Sequence, residues 1–291
     1  MVTVLLSGGL GNQMFQYAAA KALAVRLDSG YQLDLYSFSK KTKATVRCYE
    51  LDIFSLSAPV AKTLKGKLVT KIYPYIQKHR SFFQCIGVFT DTYAVLYQPK
   101  FEEIKGNVVL YGYFQNEKYF ENIAADLRKD FLFKKPLIDK NLDISNRLQC
   151  SQSVAIHIRR GDYLTNQSSA SNFITLDKAY YEKAIEYIVL NVDNPEFFVF
   201  SEDFEWIKEN LNFENYPVTF IDWNKGMDSY IDMQLMSLCK HNVIANSSFS
   251  WWGAWLNANT GKKVIAPNIW FQDEKKNELL RDFYPEEWIM L

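Results

Sequence analysis

The chain has 291 residues, and its 33 basic side chains balance its 33 acidic ones. Hydrophobic residues make up 48% and charged residues 23%, which excludes a disordered chain, and the zero net charge argues against bulk electrostatic capture of nucleic acid. The length suits two ordinary domains or one large one. The four cysteines are scattered, without a Cys-x-x-Cys metal or redox motif, so we expect reduced thiols and a cytoplasmic protein.

The chain opens with a strand–helix–strand pattern. Residues 2–6 are predicted to form a strand, 13–27 a helix that Asn12 can cap, and 31–36 a second strand. The adjacent amides Asn12 and Gln13 are predicted to be exposed and to face a polar ligand, with Asn12 as the preferred contact.

The glycines before this helix partly resemble a dinucleotide-binding fingerprint. Gly9-x-Gly11 is followed after about 20 residues by an acid, Asp34. Met14 stands where the third glycine should be, and it would crowd the close contact between helix and strand that glycine permits. A nicotinamide-dependent oxidoreductase or an epimerase is therefore a weaker alternative, and a glycine turn before a packing helix explains the glycines equally well.

The middle of the chain is less periodic. The segment 62–80 carries six basic residues among apolar ones, for which a solvated helix face is the default interpretation. The alternative is a basic surface that rests on anionic lipid at the inner face of the membrane. No stretch reaches the ~18 apolar residues that a spanning helix needs. Farther on, the pattern predicts a strand over 107–114, a helix over 117–131 and a linker over 136–150.

The second half alternates strands with helices, which predicts a doubly wound lobe with a largely parallel sheet. The predicted fold class is therefore α/β, with an N-terminal lobe over 1–145, a second lobe over 146–272 and a terminal helix over 273–291 that packs back on the body. In such sheets, ligands bind beyond the carboxyl ends of the strands. The predicted strands are 153–158, 197–200, 217–221, 243–245 and 263–266, and the predicted helices are 177–191, 203–211, 228–240 and 248–258.

Two adjacent arginines end the first strand of this second half. Residues 154–163 read Val-Ala-Ile-His-Ile-Arg-Arg-Gly-Asp-Tyr, a buried strand that leads into Arg159 and Arg160. A pair of structural ion pairs is one interpretation. The other is an anion site, because guanidinium groups match phosphate oxygens bidentately. The companion motifs favour the anion site.

A second candidate anion site follows the strand over 243–245. Asn246, Ser247 and Ser248 precede a helix whose free N–H groups and positive end suit phosphate, and Ser250 adds a further hydroxyl. Asp232, in the first turn of another helix, either complements the helix dipole or accepts two N–H bonds from a guanine edge. No Asp-x-Asp triplet of the kind that grips nucleotide diphosphates through a metal occurs in the sequence. Cationic side chains would then neutralise a departing diphosphate in place of a metal.

Three long blocks resemble the motifs of the α1,2-fucosyltransferases, glycosyltransferase family 11, and their bacterial members in particular. They are Ser7-Gly-Gly-Leu-Gly-Asn-Gln-Met-Phe-Gln-Tyr-Ala18, His157-Ile-Arg-Arg-Gly-Asp-Tyr163 and Ile244-Ala-Asn-Ser-Ser-Phe-Ser-Trp-Trp-Gly-Ala-Trp255. The resemblance implies a GT-B-like architecture of two Rossmann-like lobes facing a cleft. It also implies metal-independent, inverting transfer of L-fucose from GDP-β-L-fucose to O2 of a terminal galactose on an oligosaccharide or surface glycan, with no other cofactor.

The resemblance also implies roles for individual residues. His157 and Asp232 would contact guanine, Arg159 the β-phosphate, and Arg160 either the diphosphate or Asp162. Asp162 is the nearest candidate for a general base, with a salt bridge to Arg159 or Arg160 as the equal alternative and a reaction with weak base assistance as a third option. The remaining implied contacts are Glu202 and Asp203 with the nucleoside, Asn246, Ser247 and Ser248 with phosphate, and Asn12 with acceptor or fucose. Besides the oxidoreductase alternative, a catalytically silent module that binds GDP or glycan stays open.

Overall fold

The computed structural model describes residues 1–39, 47–161, 167–213 and 216–291. The chain divides into two compact units, Met1–Lys134 and Lys135–Leu291. The sequence placed this boundary at residue 145, within a linker. The structure forms a helix there instead, α5 (Asp139–Cys150), and the helix belongs to the second unit because its buried face, with Ile144 and Leu148, packs onto that unit's strand and helix.

The first unit is a parallel sheet with helices, as predicted. Its strand order is β3-β2-β1-β5-β4, and each described neighbouring pair is parallel. The central strand β1 is apolar except for Thr3 and is buried along its whole length. The strands are β1 (Val2–Leu5), β2 (Tyr31–Asp34), β3 (Val60–Ala61), β4 (Val88–Phe89) and β5 (Val108–Leu110), and the helices are α1 (Leu10–Arg26), α2 (Leu64–Lys78), α3 (Arg80–Cys85) and α4 (Ala124–Asp130).

The predicted helix over 117–131 is broken. It consists of two 3-10 turns, Glu117–Tyr119 and Glu121–Ile123, followed by α4. Phe120, between the two turns, has φ −146° and ψ 8°, which are not helical, and its ring and that of the neighbouring Tyr119 are both buried. Tertiary packing of the two rings therefore overrides the local helical pattern.

The second unit confirms the predicted doubly wound lobe. Its strand order is β11-β10-β9-β6-β7-β8, with all described neighbours parallel. Counted from β6, this is the order 6-5-4-1-2-3, the same as that of a dinucleotide-binding sheet. The strands are β6 (Gln152–Ile158), β7 (Pro195–Ser201), β8 (Val218–Ile221), β9 (His241–Val243), β10 (Val264–Ala266) and β11 (Ile289–Met290).

The core of the second unit contains apolar residues of β6 and β7 together with those of the helix over 178–191. After α5 the helices are α6 (Gln167–Asn172), α7 (Lys178–Asn191), α8 (Phe204–Asn210), α9 (Tyr230–Leu238), α10 (Ser248–Leu256) and α11 (Glu274–Asn277). In the described residues, no helix combines the length and the apolar character needed to cross a membrane.

The C-terminal segment packs back on the body, but it is not the single helix that the sequence predicted. It contains the short helix α11, a 3-10 helix over Glu278–Asp282 and the strand β11, which pairs with β10. Pro285 interrupts the helical pattern, since proline disfavours helical geometry in the residue before it. Trp288 is buried with its ring 5.4 Å from the ring of Trp251, and this contact ties the segment to α10.

Asp34 of β2 has a structural role. In a dinucleotide-binding site, the acid at this position would bind a ribose hydroxyl. The residue is fully buried, and its carboxylate accepts bonds from the backbone N–H of Tyr36 at 2.8 Å and of Thr63 at 3.0 Å and from the Thr63 hydroxyl. Gly66 allows α2 to approach this carboxylate, because a Cβ at that position would collide with it. Asp34 therefore anchors the start of α2 to the sheet. Met14, which stands in place of the third glycine of the fingerprint, is buried in α1.

We expect Asp34→Ala to lower the free energy of unfolding by about 3 kcal/mol, because it leaves buried N–H groups without an acceptor. Urea unfolding of the variant measures this loss. The exposed Asp126→Ala serves as the control and should unfold at nearly the same urea concentration as the wild type. A stable Asp34→Ala protein that had lost only nucleotide binding would contradict the structural role.

Candidate active site

The two predicted anion motifs meet at one edge of the second sheet. The strand β6 has β7 on one side and β9 on the other, so the strand order reverses between β6 and β9. Ligands of open parallel sheets bind beyond the carboxyl ends of the strands at such a switch point. Here β6 leads into Arg159 and Arg160, and β9 leads into residues 244–248 and the start of α10. The strand order therefore brings the loop with the two arginines and the N-terminus of α10 to the same edge of the second sheet.

The start of α10 is built by Ser247. Its hydroxyl caps the helix by accepting the Phe249 N–H at 3.3 Å, while Ser248 is the first helical residue. Two further residues of this segment, Asn246 and Ser250, have structural roles that the sequence did not predict. The buried Asn246 amide donates to the carbonyls of Ile174 at 2.7 Å and Trp270 at 3.2 Å, and it thereby holds two loops together.

Ser250 is also buried, and its hydroxyl bonds to the carbonyls of Ala245 and Ser247. The prediction that it adds a phosphate donor is wrong, because this hydroxyl is directed to the backbone inside the unit. The two tryptophans Trp251 and Trp255 are buried and stacked, with ring centroids 6.4 Å apart, as the core interpretation predicted.

Arg160 forms the structural ion pair that the sequence had kept open for both arginines. Its Nε donates to Asp203 at 3.0 Å, and its guanidinium lies 4.0 Å from the ring centroid of Trp206. Asp203 also caps α8 by accepting the Trp206 N–H at 3.1 Å. The structure therefore gives Arg160 and Asp203 a role in fixing the start of α8, and their diphosphate and nucleoside contacts stay predictions of the resemblance. Arg159 remains the predicted phosphate ligand.

Two predicted site residues of the second unit remain, Glu202 and Asp162. Glu202 is exposed, and its carboxylate lies so close to Gly161 that a Cβ at that position would collide with it. Asp162, the predicted general base, falls within residues 162–166 and lies outside the described residues, so its role stays a prediction.

His157 is an almost buried imidazole at the carboxyl end of β6. It is 9% exposed, and within the described part of the chain its buried Nδ1 has no hydrogen-bond partner. Burial, and secondarily the charge of Arg159, lower the pKa of His157 to about 3, so the ring is neutral at physiological pH. Its ring centroid is 5.9 Å from that of Phe249, so His157 faces the first turn of α10. The neutral imidazole therefore adds no charge at this end of β6.

Asp232 belongs to a small polar cluster in the second unit. Asn224 donates to its Oδ1 at 2.8 Å, and Asn224 in turn exchanges amide bonds of 2.9 and 3.2 Å with Asn141. Trp223 Nε1 donates to the same Asn141 oxygen at 2.9 Å. Burial raises the pKa of Asp232 to about 7, and the bond from Asn224 opposes this rise. No hydrogen bond from the described residues reaches Oδ2, so this oxygen can accept from a ligand.

In the first unit, the two adjacent amides have different environments. Gln13 is fully buried, with its amide donating to the carbonyls of Gly8 at 3.0 Å and Cys48 at 2.8 Å and accepting the N–H of Glu50 at 3.0 Å. The expectation that Gln13 is exposed to a ligand is wrong, because its polar atoms hold the loop around α1. Asn12 lies in the first turn of α1 rather than at its cap, and it is half-buried with its oxygen accepting from Gln115 at 2.7 Å.

Glu50 was not identified from the sequence. Its carboxylate accepts the Leu10 N–H at 3.1 Å, at the start of α1 and at the carboxyl edge of the first sheet. Burial raises the pKa of Glu50, and the charge of Arg47 and the Leu10 N–H oppose that rise. A half-buried carboxyl group with a raised pKa is the kind of group found at functional sites. No local motif indicates it, because its partners in α1 are distant in sequence.

Comparison with known proteins places the chain among glycosyltransferases. The model of a family described as glycosyl transferase family 11 matches residues 56–291. An alpha-1,2-colitosyltransferase of Escherichia coli is 36% identical over 300 residues, which cover 100% of this chain and 99% of the relative. The O-antigen biosynthesis glycosyltransferase WbnK of the same species is 35% identical over 98% of this chain and 99% of the relative. Human galactoside alpha-(1,2)-fucosyltransferase 1 is 25% identical over 99% of this chain and 74% of the relative.

Proposed function

Because the chain belongs to glycosyl transferase family 11, we propose that it transfers L-fucose from GDP-β-L-fucose to O2 of a terminal galactose. The acceptor is an oligosaccharide or surface glycan, the product linkage is α1,2, and the reaction takes place in the cytoplasm. The observation that carries the proposal is the meeting of Arg159 and the start of α10 at the switch point of the second sheet. The buried carboxylate of Asp34 and the packed Met14 weigh against the oxidoreductase alternative.

In this proposal the guanine base is recognised by His157 and Asp232. A guanine edge offers two N–H donors, and a carboxylate accepts both when it is ionised. With its pKa near 7, Asp232 is close to half ionised at neutral pH before a ligand arrives. Donation from N–H groups favours the charged form, so binding of guanine would pull this pKa down.

The diphosphate is stabilised by fixed positive groups. As the bond between the anomeric carbon and the β-phosphate oxygen breaks, negative charge grows on the phosphate. Arg159 supplies donors to that charge, and the capped start of α10 adds N–H groups and the positive end of the helix dipole. This arrangement supplies the neutralisation that other enzymes obtain from a divalent ion, which agrees with the lack of an Asp-x-Asp triplet in the sequence.

The acceptor reacts at the opposite face of the anomeric carbon. The galactose O2 forms the new bond to that carbon while GDP leaves with the electron pair, so the β-linked donor gives an α-linked product. The hydroxyl proton goes to a general base, for which we propose Asp162. Asn12, in the first unit, is proposed to contact the acceptor or the fucose.

Colitose is a second candidate for the transferred sugar. The 36% identical relative is named a colitosyltransferase, and colitose is fucose without its 3-hydroxyl. A pocket that hydrogen-bonds this hydroxyl rejects the deoxy sugar by as much as 10⁴–10⁵, whereas an apolar pocket accepts both. The donor preference is therefore a direct measure of the polarity around O3 of the bound sugar.

Purified protein with GDP-fucose and lactose in EDTA should yield 2′-fucosyllactose, detected by mass spectrometry and linkage analysis. The matched reaction with GDP-colitose tests the second candidate. A product that forms only after Mn²⁺ is added would contradict stabilisation by Arg159. Tight GDP binding without transfer to a panel of galactosides would identify a silent binding module, and thermal stabilisation by NAD but not by GDP would favour the oxidoreductase.

Arg159→Lys should lower kcat on the order of 10²-fold and change the Kd for GDP by less than about tenfold, because a point charge does not reproduce the bidentate contact as charge develops. Steady-state kinetics and calorimetry separate the two quantities. Arg160→Lys is the matched control, and it should lower stability by about 1–2 kcal/mol through the lost Asp203 and Trp206 contacts while kcat stays within a few-fold. Equal losses of kcat in both variants would refute this division of roles.

The affinity for GDP should rise about tenfold between pH 6 and pH 8, because Asp232 has a raised pKa of about 7 and accepts N–H bonds through both oxygens only as it ionises with increasing pH. Titration calorimetry at several pH values measures this rise. Asp232→Asn removes the ionisation and leaves only the pH dependence of GDP itself, so the difference between the two profiles isolates the carboxylate. Identical profiles would show that Asp232 does not bind the base.

A further inference from the structure

The outer face of α2 and α3 exposes large apolar side chains to solvent. Leu64 is 85% exposed, Leu68 57%, Tyr75 67% and Phe82 64%. Scattered exposed apolar residues are ordinary, but a group of this size on one pair of consecutive helices marks an interaction surface. We call the surface formed by Leu64, Lys67, Leu68, Lys71, Tyr75, Lys78 and Phe82 the α2–α3 face.

Helical spacing arranges this face in two parallel stripes. Leu64, Leu68 and Tyr75 recur at i, i+4 and i+11, which places them on one line along α2. The lysines 67, 71 and 78 follow the same spacing three residues later and form an adjacent line, and all three are exposed. The opposite side of α2, with Val69 and Ile76, is buried in the core of the first unit. The apolar stripe is therefore an outward face and not part of that core.

The charge of this region has one sign. Residues 62–90 contain six lysine and arginine residues and no aspartate or glutamate, although the whole chain has a net charge of zero. Beside the apolar stripe, Ile72, Tyr75, His79, Phe82 and Phe83 line an apolar surface groove of about 580 Å³. Cations around exposed leucine and aromatic side chains are the combination that binds the interface of an anionic bilayer.

We propose that the α2–α3 face docks the enzyme on the surface of a membrane that contains anionic lipid. The lysines contact the phosphate headgroups, and Leu68, Tyr75 and Phe82 insert into the boundary between headgroups and acyl chains. A second copy of the chain is a poorer occupant, because a symmetric contact would place one cationic face against another. The proposal is independent of which sugar is transferred.

Cosedimentation with vesicles tests the proposal. Wild-type protein should bind vesicles of 30% phosphatidylglycerol and 70% phosphatidylcholine, bind pure phosphatidylcholine much more weakly, and lose affinity in 0.5 M NaCl. The triple variant Lys67→Gln, Lys71→Gln, Lys78→Gln should weaken binding by about a hundredfold. The triple variant Leu68→Ser, Tyr75→Ser, Phe82→Ser should also weaken binding, because it removes the inserted groups.

A matched control changes the same charge elsewhere. The exposed lysines 105, 183 and 275 are replaced together by glutamine, and this variant should bind the vesicles like the wild type. Activity on a soluble acceptor should stay unchanged in all three variants, which verifies folding. The proposal is overturned if wild-type protein does not bind the vesicles, if the lysine variants at the two places bind equally, or if sedimentation equilibrium shows a dimer that only the apolar variant dissolves.

Discussion

Parallel pairing of β6 with both β7 and β9 is the constraint on which the candidate site depends. The seven residues of β6 are in register with β7, and Val154–Ile156 are in register with His241–Val243 on the other side. Neighbouring strands lie about 4.8 Å apart, so the loops that leave their carboxyl ends emerge side by side. The arginine pair and the serine-capped helix are distant in sequence, and this pairing alone makes them neighbours.

In both units, some polar side chains of the predicted ligand loops hold the chain in place. The buried amides of Gln13 and Asn246 bond to backbone carbonyls and hold loops in position. Arg160 is held by Asp203 and Trp206, so one guanidinium of the adjacent pair fixes the start of α8, and Arg159 is the one proposed to contact phosphate. Buried polar groups must be paired, and a loop that positions ligand groups therefore needs more polar residues than the ligand touches.

Burial also sets the protonation of the titratable groups described above. It lowers the pKa of His157 and raises those of Asp232 and Glu50, in each case favouring the neutral form. For His157 this leaves an uncharged ring beside the cationic Arg159. For Asp232 it leaves a carboxyl whose charge depends on its ligand, which links recognition of a base to pH near neutrality. The same packing that stabilises the second unit thus tunes its candidate site.

The amino-acid sequence by itself determined the α/β class, most strands and helices of the second unit and the two anion motifs, because hydrophobic periodicity and capping residues act over a few neighbouring positions. Only the tertiary structure decided that Arg160 pairs with Asp203, that Gln13 and Asn246 are buried, that Glu50 reaches the start of α1, and that the chain divides after Lys134 and not at residue 145. It also decided that the C-terminal segment ends in a strand and that residues 117–131 break into turns. Each of these outcomes depends on which distant element a side chain meets, and the order of strands in a sheet is set by packing of the whole chain rather than by local pattern.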